Sequence, residues 1–168
     1  MELNGAPLLR APLDRGTTTF CLFRGMTAGV PRHIRIFKET QPITDDPRHR
    51  LEVTEVTGKD GEFLPPPLKK LCLEFIGDSL TSGEGVAGAR SETDWISPFF
   101  RASQSWARLT ADLLQADFHA VSQSGWWVCS GWDGDVTHAI SPWYEETGPL
   151  RDRKPDAISS TWEPTMPT

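Results

Sequence analysis

The chain has 168 residues, 38% hydrophobic and 24% charged, with a net charge of -6, the balance of a folded globular protein of one or two small domains. An acidic chain with no basic run does not suit a nucleic-acid partner, whose affinity rests on Lys and Arg neutralising phosphates. No apolar run nears the roughly 20 residues of a membrane span, so no membrane partner is expected.

The first residues, "MELNGAPLLRAPLDRG", lack a signal-peptide core. A cytoplasmic protein is the default expectation, with secretion open to a chain that extends further at its N-terminus. Fourteen prolines and fourteen glycines predict many loops and short strands. Cys21, Cys72 and Cys129 lie far apart and match no metal-ligand spacing or disulfide framework. Reduced, mostly buried thiols are expected, with no metal and no cofactor.

In chain order, residues 1–66 read as antiparallel β. The runs "TTTFCLFR", "RHIRIFK" and "RLEVTEV" are strand-like; Ile34 and Ile36 alternate with Arg35, and Leu51 and Val53 with Glu52 and Thr54, the period of half-buried strands. Three or four strands make only part of a sandwich. Pro65-Pro66-Pro67 forms a stiff extended connector.

Beyond it the texture changes. "LCLEFI" (71–76) is nearly continuous apolar, as a central parallel strand should be. "SQSWARLTADLLQ" has helical spacing, with Trp106, Leu109, Leu113 and Leu114 on one face and Ser103 or Ser105 as N-cap. "DFHAVS" (117–122) predicts a second strand and "PDAI" (155–158) the start of a third. Strand, helix, strand, loop, strand opens an α/β sheet. A Trp-rich loop lies between the last two strands.

"EFIGDSLTSGEG" (74–85) sets Ser79 just past the first of these strands, where open α/β sheets bind ligands. A serine hydroxyl becomes a useful nucleophile when a base takes its proton, and the Ser79 N–H can donate to an oxyanion formed in acyl transfer. An ordinary turn, with Asp78 as cap, is the plainer reading of Gly-Asp-Ser. The stretch does not fit the G-x-S-x-G elbow, because Thr81 stands at its last glycine.

"IGDSLTSGEG" resembles the first block of the SGNH or GDSL-type esterases, whose nucleophile is the serine of Gly-Asp-Ser. "AVSQSGWWVCSGWDGD" resembles the second block of carbohydrate esterase family two, enzymes that deacetylate xylan and related polysaccharides. "RHIRIFKET" and "GEFLPPPLKKLCLEFIGDS" resemble that family's β-sandwich domain and its join to the catalytic domain. The resemblance implies an SGNH-hydrolase-like three-layer α/β/α domain, incomplete here, over residues 67–158. A partial antiparallel, jelly-roll-like β-sandwich over residues 1–66 would precede it. It implies Ser79 as nucleophile, supported by Asp78, and the backbone N–H groups of Ser79 and Gly125 as oxyanion donors. Trp127 stands where the family pattern has glycine.

The family's third block, a Gly-x-Asn-Asp segment, should follow "PDAI", but the chain reads "SSTWEPTMPT". Codons for Ser159–Pro167 read one base out of frame can encode Ile-Asn-Leu-Gly-Thr-Asn-Asp-Ala, so residues 159–168 are expected to be an out-of-frame tail. The family's base histidine lies beyond that block and is absent from this chain, which is therefore expected to be an incomplete, nearly inactive fragment. Asp46…His49 and Asp135…His138 have the Asp-x-x-His spacing but precede the third block; His138 is the remaining in-chain candidate, with exposed loop histidines the plainer reading. His33 and His119 sit on or beside predicted strands.

Trp126, Trp127, Trp132 and Trp143 crowd into one stretch. Aromatic faces stack on sugar rings, although packing accounts for most tryptophans; Trp126 and Trp132 are the candidate substrate contacts. Asp133 and Asp135 read as solvated loop carboxylates. The expectation is a serine esterase that deacetylates polysaccharides through an acetyl-enzyme, with an acetylated carbohydrate as partner. The alternatives are a non-catalytic carbohydrate-binding protein and a lipase or thioesterase of the same superfamily.

Overall fold

The computed structural model describes residues 1–43, 49, 51–58, 61–142 and 144, and the backbone of 157–161. The chain groups into two compact units, Met1–Phe37 with Glu52–Pro67, and Lys38–Leu51 with Leu68–Thr168. Sequence texture assigns 38–51 to the first half; the described residues 38–43 group with the second unit.

In the first unit, Asn4 and Gly5 take φ of 52° and 82°, as a two-residue Asn-Gly hairpin turn requires. They fold β1 (Glu2–Leu3) back against β2 (Ala6–Pro7), and β3 (Ile34–Arg35) runs antiparallel on the other edge of β1. Across the β1–β3 register the Arg35 guanidinium lies 3.8 Å from the Glu2 carboxylate, worth at most about 1 kcal/mol. The runs 17–24 and 51–56, expected as strands, carry no ladder, and Val53 and Val56 are exposed. Alternation decides which side chains would share a face; it does not supply the neighbouring strand that must satisfy the backbone. The expected sandwich is not seen among the described residues.

The second unit is α/β. β4 (Cys72–Gly77) is central in a parallel sheet of order β5-β4-β6, flanked by β5 (Asp117–Ser122) and β6 (Ala157–Thr161). The register pairs Gly77 with Ser122 on one side and Thr161 on the other. β6 begins inside "PDAI" and runs through Ser159–Thr161, into the residues expected as an out-of-frame tail.

Two helices follow the chain between β4 and β5: the single turn α1 (Ser79–Ser82) and the longer α2 (Trp106–Leu113). Ser105 caps α2 by accepting the Arg108 N–H. Helix α2 buries Ala107 and Ala111 against Phe75, with Ala116 completing the cluster; the Trp106 and Phe118 rings meet Phe75 edge-on, at 5.1 and 6.3 Å. Leu109, Leu113 and Leu114, the face that helical spacing singles out, are exposed. The reason is reach: alanines let the helix axis come close to a sheet that already carries a phenylalanine, and leucines would hold it off. Burying Phe75 stabilises the unit by about 2–3 kcal/mol. On the other face of β4 the carboxylate of Glu74, fully buried, accepts the Tyr144 hydroxyl. Of the three cysteines, all free, Cys72 is buried whereas Cys21 and Cys129 are exposed, against the expectation of mostly buried thiols; the latter two lie outside helices and strands.

Gly83 ends α1 with φ of 79°, and a Cβ there would stand 2.6 Å from the Arg101 carbonyl oxygen. That atom is backbone and cannot swing away, because Arg101 N–H donates to the Gly83 carbonyl at 2.9 Å. Gly83→Ala is expected to destabilise the second unit by about 2 kcal/mol or more, read as urea unfolding by tryptophan fluorescence. Gly61→Ala, with nothing within 4 Å, is the neutral control; equal midpoints for the two variants would refute the argument.

Candidate active site

Strand β4 delivers Gly77 to the carboxyl edge of the sheet. Asp78, 1% exposed, caps α1 by accepting the Leu80 N–H at 3.2 Å. Ser79, the first residue of α1, is half-buried and so can meet solvent or substrate. The turn it begins is tied to the end of β5 at three points. Ser82 donates its hydroxyl to that of Ser122 at 2.9 Å, Gln123 N–H donates to the Gly77 carbonyl at 3.3 Å, and Ser124 donates its hydroxyl to the Glu84 carboxylate.

Gly125 follows with φ of 75°, and its carbonyl accepts the Trp132 N–H at 2.9 Å. A Cβ at this position would lie 2.9 Å from Trp132 Cδ1. Conformation and space both call for glycine. Among the described residues no acceptor stands opposite the Gly125 N–H.

Beside Gly125 opens a cleft of about 370 Å³, with Pro42, Trp95, Trp126, Trp132 and His138 in its walls; Ser79 is not among the lining residues. The His138 ring stacks on Trp126, centroids 5.7 Å apart at 21°. Its Nδ1 lies 3.9 Å from a carboxylate oxygen of Asp133 and of Asp135, within ion-pair reach but beyond a hydrogen bond. Trp132 is 76% exposed, whereas Trp126 and Trp127 are half-buried. Trp127 pairs its backbone with Ala139 and Ser130 and keeps a negative φ, so this position does not need the glycine of the family pattern. Trp143 and Asp46 lie outside the described residues. His49 is half-buried, His33 belongs to the first unit, and His119 stands opposite Glu74 in the β4–β5 register.

Two wall residues escaped the sequence reading. Trp95 sits alone in "TDWISP", with no periodicity or motif to mark it, and Pro42 comes from a segment read as part of the β half. Only the three-dimensional contact reveals either.

No protein-family profile matches the chain. Among solved structures it is similar to an acetyl xylan esterase from the rumen bacterium Butyrivibrio proteoclasticus, 38% identical with a TM-score of 0.76, covering 95% of this chain and 47% of that one. A family two carbohydrate esterase from Cellvibrio japonicus is 28% identical with a TM-score of 0.50, over 58% of this chain and 32% of that one. This chain is kin to the family two carbohydrate esterases. Among curated proteins, an acetylxylan esterase / glucomannan deacetylase from the same organism is 31% identical over 97 residues, 55% of this chain and 26% of that protein. The chain spans less than half the length of each of these relatives.

Asp135 caps the 3-10 turn Val136–His138: its carboxylate accepts the Thr137 N–H and the Thr137 hydroxyl, both at 2.8 Å. These two bonds, then the nearby His138, hold its pKa below the ordinary aspartate value. A lowered folded-state pKa stabilises the turn above the unfolded value, and that contribution is lost as pH falls through the folded one. Thr137→Val, which removes only the hydroxyl bond, is expected to move the Asp135 midpoint part of the way up, measured by carboxyl NMR; an unmoved midpoint would exclude the hydroxyl as a cause.

Proposed function

We propose that this chain belongs to a serine acetylesterase acting on acetylated polysaccharides such as xylan, with Ser79 as nucleophile. The observation that carries the reading is positional. A half-buried serine opens the turn that follows the central parallel strand, and just past the end of the neighbouring one lies a glycine N–H with no acceptor among the described residues. The names of the similar proteins support the substrate class. In this reading the second unit is the opening of a three-layer α/β/α SGNH-type domain, and the first unit is part of a β-sandwich.

The chemistry follows from the residues. Ser79 Oγ gives its proton to a base and attacks the acetyl carbonyl; the negative charge on the former carbonyl oxygen falls to the N–H groups of Ser79 and Gly125. The sugar alkoxide leaves with the proton, and water then attacks the acetyl-Ser79 ester to release acetate. Each oxyanion donor is worth about 100- to 1000-fold in rate. Asp78 acts by holding the turn through Leu80 rather than by touching substrate. The base is assigned to no described residue: His138 walls a cleft that does not include Ser79. Within that cleft the exposed Trp132 is the better platform for a sugar ring, because Trp126 already stacks on His138.

That the cleft excludes Ser79 favours a second reading, glycan binding independent of ester turnover. Both readings meet one experiment on the complete gene product with acetylated xylan. Ser79→Ala is expected to lower kcat at least about 1000-fold, and acetate release that persists in that variant, or never occurs in the parent, would sink the esterase reading. Trp132→Ala is expected to raise KM on the polysaccharide roughly tenfold, as loss of one stacking aromatic should, with kcat on 4-nitrophenyl acetate unchanged. Faster turnover of long-acyl than of acetyl esters would point instead to a lipase or thioesterase.

A further inference from the structure

The segment 38–43 stands apart in sequence from the strands and helices of the second unit, yet it is part of that unit. Its anchors are polar and go to two places. Glu39 accepts the Ser103 N–H at 2.9 Å and the Ser103 hydroxyl at 2.6 Å, and its own carbonyl accepts the Ala102 N–H at 3.2 Å. Two residues on, Gln41 is 8% exposed, and its Oε1 accepts the Ser124 N–H at 2.9 Å. The Pro42 carbonyl accepts from Gln123 Nε2 at 3.3 Å.

The amide of Gln41 is used at one end only: Nε2 is buried and has no acceptor among the described residues, a condition that destabilises a fold. The Ser124 N–H can only donate, so it dictates that the oxygen faces it. What the buried side chain supplies is one acceptor for one peptide N–H. Ser124 is also held through its hydroxyl by Glu84, and the next carbonyl, that of Gly125, is held by the Trp132 N–H. The peptide between Ser124 and Gly125 is therefore bracketed on both sides while its own N–H stays uncommitted. Glycine has the widest backbone freedom of any residue, and an oxyanion donor works by being aimed before the charge develops. A free glycine would lose that aim.

We propose that Gln41 is a positioning residue that fixes the Ser124–Gly125 peptide so that the Gly125 N–H points at the oxyanion. The inference rests on the esterase reading above and names a further determinant of that site.

The test uses the complete gene product. Gln41→Met keeps the length and removes the acceptor; it is expected to lower kcat on acetylated xylan about 10- to 100-fold with KM unchanged and a cooperative thermal transition retained. Ser103→Ala, which cuts a bond at the other anchor of the same segment, is expected to leave kcat as it was. Equal kcat in Gln41→Met and the parent overturns the proposal. So do equal losses in the two variants, or a Gln41→Met chain that no longer folds, since either gives the segment a structural role alone. If the parent shows no Ser79-dependent turnover, the esterase reading is what fails, and amide exchange then decides the clamp by itself. Faster Ser124 N–H exchange in Gln41→Met than in Ser103→Ala supports it, and unchanged exchange overturns it.

Discussion

The parallel pairing of β4 with β5 and β6 is the constraint on which the second unit depends. Strands that run the same way end on the same edge, so the loops leaving Gly77 and Ser122 emerge side by side. The Gln123 N–H bond to the Gly77 carbonyl extends the ladder one step past the strands and brings 78–85 against 123–125. A slip of one residue would turn Phe75 out of the α2 cluster. A slip of two would keep the faces but part Ser79 from Gly125 by about 7 Å. The hydrophobic contacts of Phe75 with Trp106, Ala107 and Ala111 thus do more than stabilise: they select the register that sets the two loops together.

How much of this could be read from sequence follows from how local each signal is. Strands β4 and β5, helix α2 and the start of β6 lie close to where the sequence puts them, and β4 most plainly, because burial on both faces of a central parallel strand leaves a continuous hydrophobic trace. Ser79 was legible for the same reason: a polar turn after such a run has one place to be. The Asn4-Gly5 hairpin carried the strongest short-range turn signal available and went unread because only two residues flank it on each side. The exposed face of α2 misled, since spacing tells which residues share a face and only close approach tells which face is used. Gln41, Pro42 and Trp95 left no trace. Gln41 and Pro42 meet residues 123–124, and Trp95 lines the cleft with residues 123–138, all far along the chain, and no period or motif records such a meeting.

The buried polar groups tell a consistent story about where order is concentrated. Glu74 and Asp78 are essentially inaccessible and Gln41 nearly so, all in the stretch that prepares or supports the Ser79 turn. Each has an identified hydrogen bond, to Tyr144, Leu80 and Ser124, and burial of such groups destabilises a fold when they lack one. Apolar side chains would pack there at lower cost but would leave backbone direction free. Arg108, by contrast, is buried and donates to Asp112 at 2.6 Å within α2 itself, where the pair stiffens the helix.

Gly125 joins the loop beside the Ser79 turn to the aromatic cleft. Its N–H is uncommitted, its carbonyl takes the Trp132 N–H, and its missing side chain leaves the room that Trp132 Cδ1 occupies. A residue with any Cβ would have to displace the indole or abandon a positive φ; either change would move the donor and the stacking surface together. Ser79 is not among the residues that line the aromatic cleft, but a chain of contacts joins its turn to that cleft. Glu84 holds Ser124, Ser124 adjoins Gly125, and Gly125 supports Trp132. On the proposed reading, the indole that carries the sugar would pack against the same glycine whose N–H serves the oxyanion. Binding and catalysis, so read, would meet at one backbone position.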